Sequence, residues 1–263
     1  MDLLSRSWKT LQVRLEDEVC FIRIHRPDAG NAINDMLIEE MSTALSACDE
    51  AAKVVVLEGQ TEVFCAGADF RQIEQRLDAG DANGGGQHPE PLYRLWQKLA
   101  CGPYVTIAHV KGKANAGGIG FVSACDIVLS DDKATFGLSE LLFGLMPACV
   151  LPFLIRRVGF SKANYMTLTT QPVSAALARE WGLVDACDEN SDKLLRAQLL
   201  RLRRMGKTGI ARYKRYAAAL DDSLQRSMAP ALAANFEVFS DADNLEKIAR
   251  FVRTGRFPWE GQP

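Results

Sequence analysis

A chain of 263 residues that is 48% hydrophobic can bury a sizeable core, and its length fits one large domain or a domain with an appendage. With 31 basic and 33 acidic side chains the net charge is −2, which lacks the overall basic footprint of a nucleic-acid binder. Seven scattered cysteines, no C-x-x-C pair or Cys/His cluster, no long apolar run and no signal-peptide core predict a cytoplasmic protein without a disulfide framework, metal site or membrane span.

In chain order, residues 10–14 and 19–25 alternate apolar and polar side chains around Glu16-Asp17-Glu18, which predicts a hairpin with a polar turn. Residues 34–48 (NDMLIEEMSTALSAC) place Met36, Leu37, Met41 and Leu45 on one helical face, with Asn34 as N-cap. KVVVL at 53–57, YVTIAHV at 104–110 and residues 127–129 read as strands, the first closed by Gly59. Strands alternating with helices imply an α/β core.

The second half reads as helices over 161–169, 174–181, 192–205, 209–220 and 244–252, several opening on Ser or Asp. The change of pattern divides a core over 1–190 from a helical region over 191–263. Residues 78–91 (DAGDANGGGQHPEP) are too polar and Gly/Pro-rich to pack and predict a mobile loop, a candidate lid over bound substrate. No internal repeat is visible.

Two glycine-bearing loops each follow a strand: VFCAGADF at 63–70 and GKANAGGIGFVSACD at 112–126. Such loops can aim two backbone N–H groups into one cleft, as an oxyanion hole for an enolate requires, with glycine leaving room for an acyl group. They also serve merely as tight turns and close packing contacts. A dinucleotide G-x-G-x-x-G fingerprint and a P-loop are both absent.

CAGADF (65–70), KANAGGIGFVSACDIVLSDDKATFGLSELLFGLMPA (113–148), REWGLVDA (179–186) and RPDAGNAIN (26–34) resemble the enoyl-CoA hydratase/isomerase, or crotonase, family along the whole chain. The resemblance implies a ββα spiral core, a helical C-terminal trimerisation region, and a homotrimer or hexamer. It implies oxyanion donors at the N–H groups of Ala68 and Gly117. Of the two glutamates typical of hydratases, Glu140 stands at the second position, while Gly120 stands at the first.

EPLYRLWQKL (90–99), NAGGIGFVSA (115–124), SELLFGLMPACVLPFLIRRVG (139–159) and TGRFPWE (254–260) are similar to one subgroup, the dehydratases of polyketide β-branching cassettes. That likeness implies dehydration of a 3-hydroxy-3-methylglutaryl group to 3-methylglutaconyl. The substrate would ride on the phosphopantetheine of an acyl carrier protein, with no further cofactor. The alternatives are a hydratase or isomerase of free acyl-CoA, the decarboxylating sister enzyme, and a non-catalytic scaffold or RNA-binding relative.

For such a dehydration Glu140 is the candidate base, with an ion pair on the structure as its other reading. Asp69 is either an acid or the N-cap of a helix at Phe70. Tyr93, Gly118 and Gly120 are candidate pocket walls, although Tyr93 and Trp96, three apart on a helix, also suit packing. His109 reads as a hydrogen-bonded core residue. The basic stretch 196–215 reads as a solvated helix face, or as a dock for an acidic carrier protein.

Overall fold

The protein is described by a computed structural model covering residues 6–79 and 88–260. Most of the loop expected over 78–91, residues 80–87, lies outside the described residues. The chain opens with a hairpin, β1 (Leu11–Glu16) and β2 (Val19–Ile24), paired antiparallel. Its two turn residues, Asp17 and Glu18, both take positive φ (49° and 61°), which matches the twist of the flanking strands. Helix α1 (Asp35–Ala51) follows, with the Asn34 carboxamide oxygen accepting from Leu37 N–H at 2.9 Å. It buries Leu37, Ile38, Met41, Ala44, Leu45 and Cys48 along one stripe.

Then come β3 (Val54–Glu58), β4 (Val63–Cys65), α2 (Phe70–Asp78), α3 (Glu90–Cys101), β5 (Val105–Val110), β6 (Lys113–Asn115) and α4 (Gly117–Ala124). Strands β7 (Ile127–Asp131) and β8 (Thr135–Gly137) lead to a 3-10 turn at Glu140–Phe143. The rest is α5 (Leu151–Val158), α6 (Phe160–Thr169), β9 (Val173–Ser174), α7 (Ala175–Glu180), β10 (Ala186–Asp188), α8 (Ser191–Leu202), α9 (Lys207–Leu220), α10 (Ser223–Phe239) and α11 (Ala242–Thr254).

Two sheets result, one in the order β1-β2-β3-β5-β7-β10 and the other β4-β6-β8-β9. The pairs β3/β4, β5/β6 and β7/β8 each give one strand to each sheet, so the backbone repeats three times although the sequence shows no repeat. Parallel strands need crossovers, and here each crossover carries the chain through the second sheet or a helix. Every residue of β3 is buried, as expected of a strand covered on both faces. Val55 and Leu57 join the main core, while Val54 and Val56 pack under Leu195, Leu199 and Leu202 of α8.

Helices α4, α5 and α10 are absent from the sequence-based expectation, which read residues 112–126 as a loop. Pro230 lies inside α10, where a proline ordinarily argues against a helix. The basic stretch is more than a solvated face: Lys214 is buried and paired with Asp126, whose carboxylate also accepts from Thr106 N–H at 2.8 Å. Lys207 Nζ donates to the Ala52 carbonyl at 3.1 Å.

Helix α4 rests directly on β4. A methyl group added at Gly118 would stand 2.6 Å from the Cys65 carbonyl oxygen, a backbone atom that cannot move alone. Gly118→Ala is therefore expected to destabilise the fold by about 1–3 kcal/mol, the usual cost of overpacking, read from the midpoint of urea denaturation.

Candidate active site

Strands β4 and β6 are parallel neighbours, so the loops leaving their C-terminal ends open at the same edge of the smaller sheet. The loops touch. A Cβ on Gly67, where φ is +102°, would lie 2.7 Å from Ala116 Cβ and 3.3 Å from the Asn115 carbonyl oxygen. Ile33 binds the first loop on both sides of Ala68, its N–H donating to Gly67 O (2.7 Å) and its carbonyl accepting from Asp69 N–H (3.0 Å). The N–H of Ala68 is left over. In the second loop Ala116 N–H donates to Gly137 O and Ile119 N–H to Ala116 O, both at 2.9 Å, leaving the Gly117 N–H at the first position of α4.

Among the described residues neither the Ala68 nor the Gly117 N–H has an acceptor. Both residues line a cavity of about 730 Å³ that also reaches Trp96, Asn115, Ser139 and Glu140. Two fixed donors, one at a helix N-terminus, suit a developing oxyanion.

Glu140 enters this cavity from the 3-10 turn. Its Oε2 is shut off from solvent and meets no hydrogen-bond partner among the described residues. Burial pushes its carboxyl up to about 7, against the pull of hydrogen bonds from its own N–H and that of Ser139. No ion pair reaches it among the described residues. Of its flanking leucines only Leu138 is buried; Leu141 is 40% exposed.

Asn115 fixes the turn to the loops, its Nδ2 donating to Ser139 Oγ at 2.8 Å and to Ala66 O at 3.4 Å. A lone Asn in a strand offers no sequence signal for that tie.

Asp69 caps α2, accepting from Gln72 N–H, and its other oxygen receives Arg26 at 2.8 Å. Arg26 also donates to the Ala32 carbonyl. Asn31, wholly buried at φ +55°, accepts from Arg26 N–H at 2.8 Å and donates to Val63 O and Phe64 O, each at 3.1 Å. Arg26 and Asn31 thus seat the 26–34 loop against β4, a role not foreseen from the sequence.

The three expected pocket walls are corrected. Tyr93 is buried in the core with its hydroxyl donating to Leu224 O at 2.6 Å, away from the cavity. Gly118 packs on Cys65, and a side chain at Gly120 would overlap the Trp96 ring. At Gly117 a Cβ would stand 2.8 Å from Ile33 Cδ1. Gly118 and Gly120 make room for Cys65 and Trp96, while Gly117 borders the cavity itself.

His109 is a core residue as expected, with Nδ1 3.3 Å from Glu58 and Nε2 2.8 Å from Ser191 Oγ. Among the described residues no cluster of His, Cys, Asp or Glu is arranged to hold a metal, and no helix is long and apolar enough to cross a membrane.

Residues 14–262 match the sequence profile of the family described as enoyl-CoA hydratase/isomerase. The chain is 57% identical to the bacillaene synthase dehydratase PksH of Bacillus subtilis, over 100% of both chains. It is 34% identical to the hydroxycinnamoyl-CoA hydratase-lyase of Pseudomonas fluorescens, over 68% of this chain and 66% of that one. The crystal structure of the Bacillus subtilis polyketide biosynthesis enoyl-CoA hydratase superposes with a TM-score of 0.93 at 56% identity, covering 96% of this chain and 100% of that one.

The raised Glu140 carboxyl carries a stability signature. A folded value near 7 against an ordinary 4.5 means the folded chain holds the proton more tightly, so stability is full below about 4.5 and falls as pH rises toward 7. Glu140→Gln lacks this loss. Denaturation at pH 5 and pH 8 is expected to show the variant gaining on the parent at the higher pH.

Proposed function

The chain belongs to the enoyl-CoA hydratase/isomerase family, and from that premise we propose that it dehydrates 3-hydroxy-3-methylglutaryl carried on an acyl carrier protein to the 3-methylglutaconyl thioester. The observation that carries the reading is one desolvated carboxylate, Glu140, sharing a cavity with two unengaged N–H groups, Ala68 and Gly117. The full-length likeness to a bacillaene synthase dehydratase supports the direction and the polyketide setting.

The thioester oxygen accepts from Ala68 N–H and Gly117 N–H, and Glu140 takes the C2 proton as negative charge moves onto that oxygen. A carboxyl near 7 exists in both forms at neutral pH, so it can remove a proton and return it. Glu140 then passes the proton to the departing 3-hydroxyl, which leaves as water on the same face. Asp69, engaged by Arg26 and the start of α2, holds the first loop in place.

Arg71, Arg76, His88 and Lys113 also line the cavity and would offer cationic or polar groups to the phosphopantetheine and its carrier protein, Arg76 while paired with Asp35. Exposed apolar side chains on α6 and α9, among them Phe160, Leu168, Tyr213 and Leu220, support assembly into a trimer or hexamer.

Intact mass measurement of loaded carrier protein tests the reading: loss of water supports it, while loss of carbon dioxide or equal turnover of the free CoA thioester counts against it. Glu140→Gln is expected to slow single-turnover dehydration by about 10²-fold or more with binding retained. Asp69→Asn keeps the cap and should change the rate little while lowering stability through the lost Arg26 pair. The parent's rate should rise with pH through a midpoint near 7, since only the ionised Glu140 accepts the proton.

A further inference from the structure

Trp96 is 1% exposed, yet its Nε1 finds no acceptor among the described residues. A buried donor left unsatisfied is costly and calls for an explanation. The indole stands in the wall of the cavity shared by Ala68, Gly117 and Glu140. It is held edge-on by Phe121 and Phe153, with ring centroids 5.9 and 5.8 Å away.

The same ring bars a side chain at position 120. A Cβ on Gly120 would be 2.6 Å from Trp96 Cε2, and one on Gly117 would be 3.8 Å from Cζ2. Nε1 is bonded to Cε2, so the N–H sits on the ring edge that runs along the first turn of α4. That turn is where the Gly117 N–H emerges. Trp96 and Gly120 are therefore one exclusive pair: where the indole stands, a carboxylate at 120 has no room.

We propose that the Trp96 indole N–H donates a hydrogen bond to the oxygen of the departing 3-hydroxyl. The inference rests on the dehydratase reading above. The C2–H bond breaks toward Glu140 and its electrons form the C2=C3 bond. The C3–O bond breaks with its pair going to oxygen, which takes the proton from Glu140 and leaves as water. Trp96 transfers no proton. It orients the hydroxyl toward Glu140 and stabilises the charge that grows on oxygen as C3–O lengthens.

The test replaces only the N–H. Benzothienylalanine at position 96 puts sulfur where nitrogen stands and keeps the ring volume, so packing on Gly120, Phe121 and Phe153 is retained. Parent and variant, matched in melting temperature, are compared in single-turnover dehydration of 3-hydroxy-3-methylglutaryl carrier protein. Both are also compared in affinity for the 3-methylglutaryl form, which lacks the hydroxyl.

The expected result is a rate roughly 10- to 100-fold lower, the loss of one hydrogen bond strengthened in the transition state, with affinity for the deoxy ligand unchanged. A variant as fast as the parent, or one that loses affinity for the deoxy ligand in proportion to its rate, overturns the assignment. If the parent itself releases no water, it is the dehydratase reading that falls first.

Discussion

The contact on which the rest of the molecule depends is between two backbones, at the ends of β4 and β6. Gly67 lies where any side chain would strike Ala116, and Gly118 lies against the Cys65 carbonyl. With loops this close, the amides of Ala68 and Gly117 share one cavity, and no side chain has to be ordered to bring them there. Ile33 takes the hydrogen-bonding groups on either side of Ala68, so the one left over is fixed by its neighbours. Preorganisation of this kind costs no rearrangement when charge appears on a ligand, which is why backbone donors serve an oxyanion well. Ala116 adopts φ +50°, uncommon for alanine, at the point where β6 turns into α4.

Three glutamates wholly or partly withdrawn from water show what decides a carboxyl's acidity in this fold. Burial raises each carboxyl. For Glu40 the donors Lys9 N–H, Thr10 N–H and the Thr10 hydroxyl outweigh it, and the group ends below the usual range while pinning β1 to α1. For Glu58 the His109 ring and Arg23 outweigh it in the same sense. Glu140 has only local backbone donors, so burial wins and its carboxyl rises to about 7. The difference among the three carboxyls lies in the donors each meets, since all three are the same residue type.

The hairpin, α1 and the larger sheet were legible because their apolar periodicities are long enough to read. The smaller sheet was not: β4, β6 and β8 are three residues each, too short for any period. The glycine loops were legible as a candidate site and, in the alternative reading, as close packing contacts, but the packing partners were not, because Trp96 and Cys65 are brought there only by folding. Arg26, Asn31 and Asn115 were missed for the same cause: each acts on a carbonyl or hydroxyl brought near only by folding. Tyr93 shows the reverse, an amphipathic residue read toward the pocket whose hydroxyl is consumed by Leu224 in the core.

The pairing of Gly120 with Trp96 bears on the acidity of Glu140. A second carboxylate across the same cavity would share a proton with the first and drive the two titrations apart, so that the values would belong to the pair and not to either group. With position 120 closed by the indole, Glu140 meets no like charge there, and its value is set by burial alone against two backbone donors. One carboxylate that is half ionised near pH 7 suffices for an elimination in which the proton removed from carbon is the proton delivered to oxygen. The reverse addition would use the same carboxyl, with ionised Glu140 taking a proton from water and returning it to carbon, so one group serves both directions and the equilibrium between them is set by the substrate and not by the site.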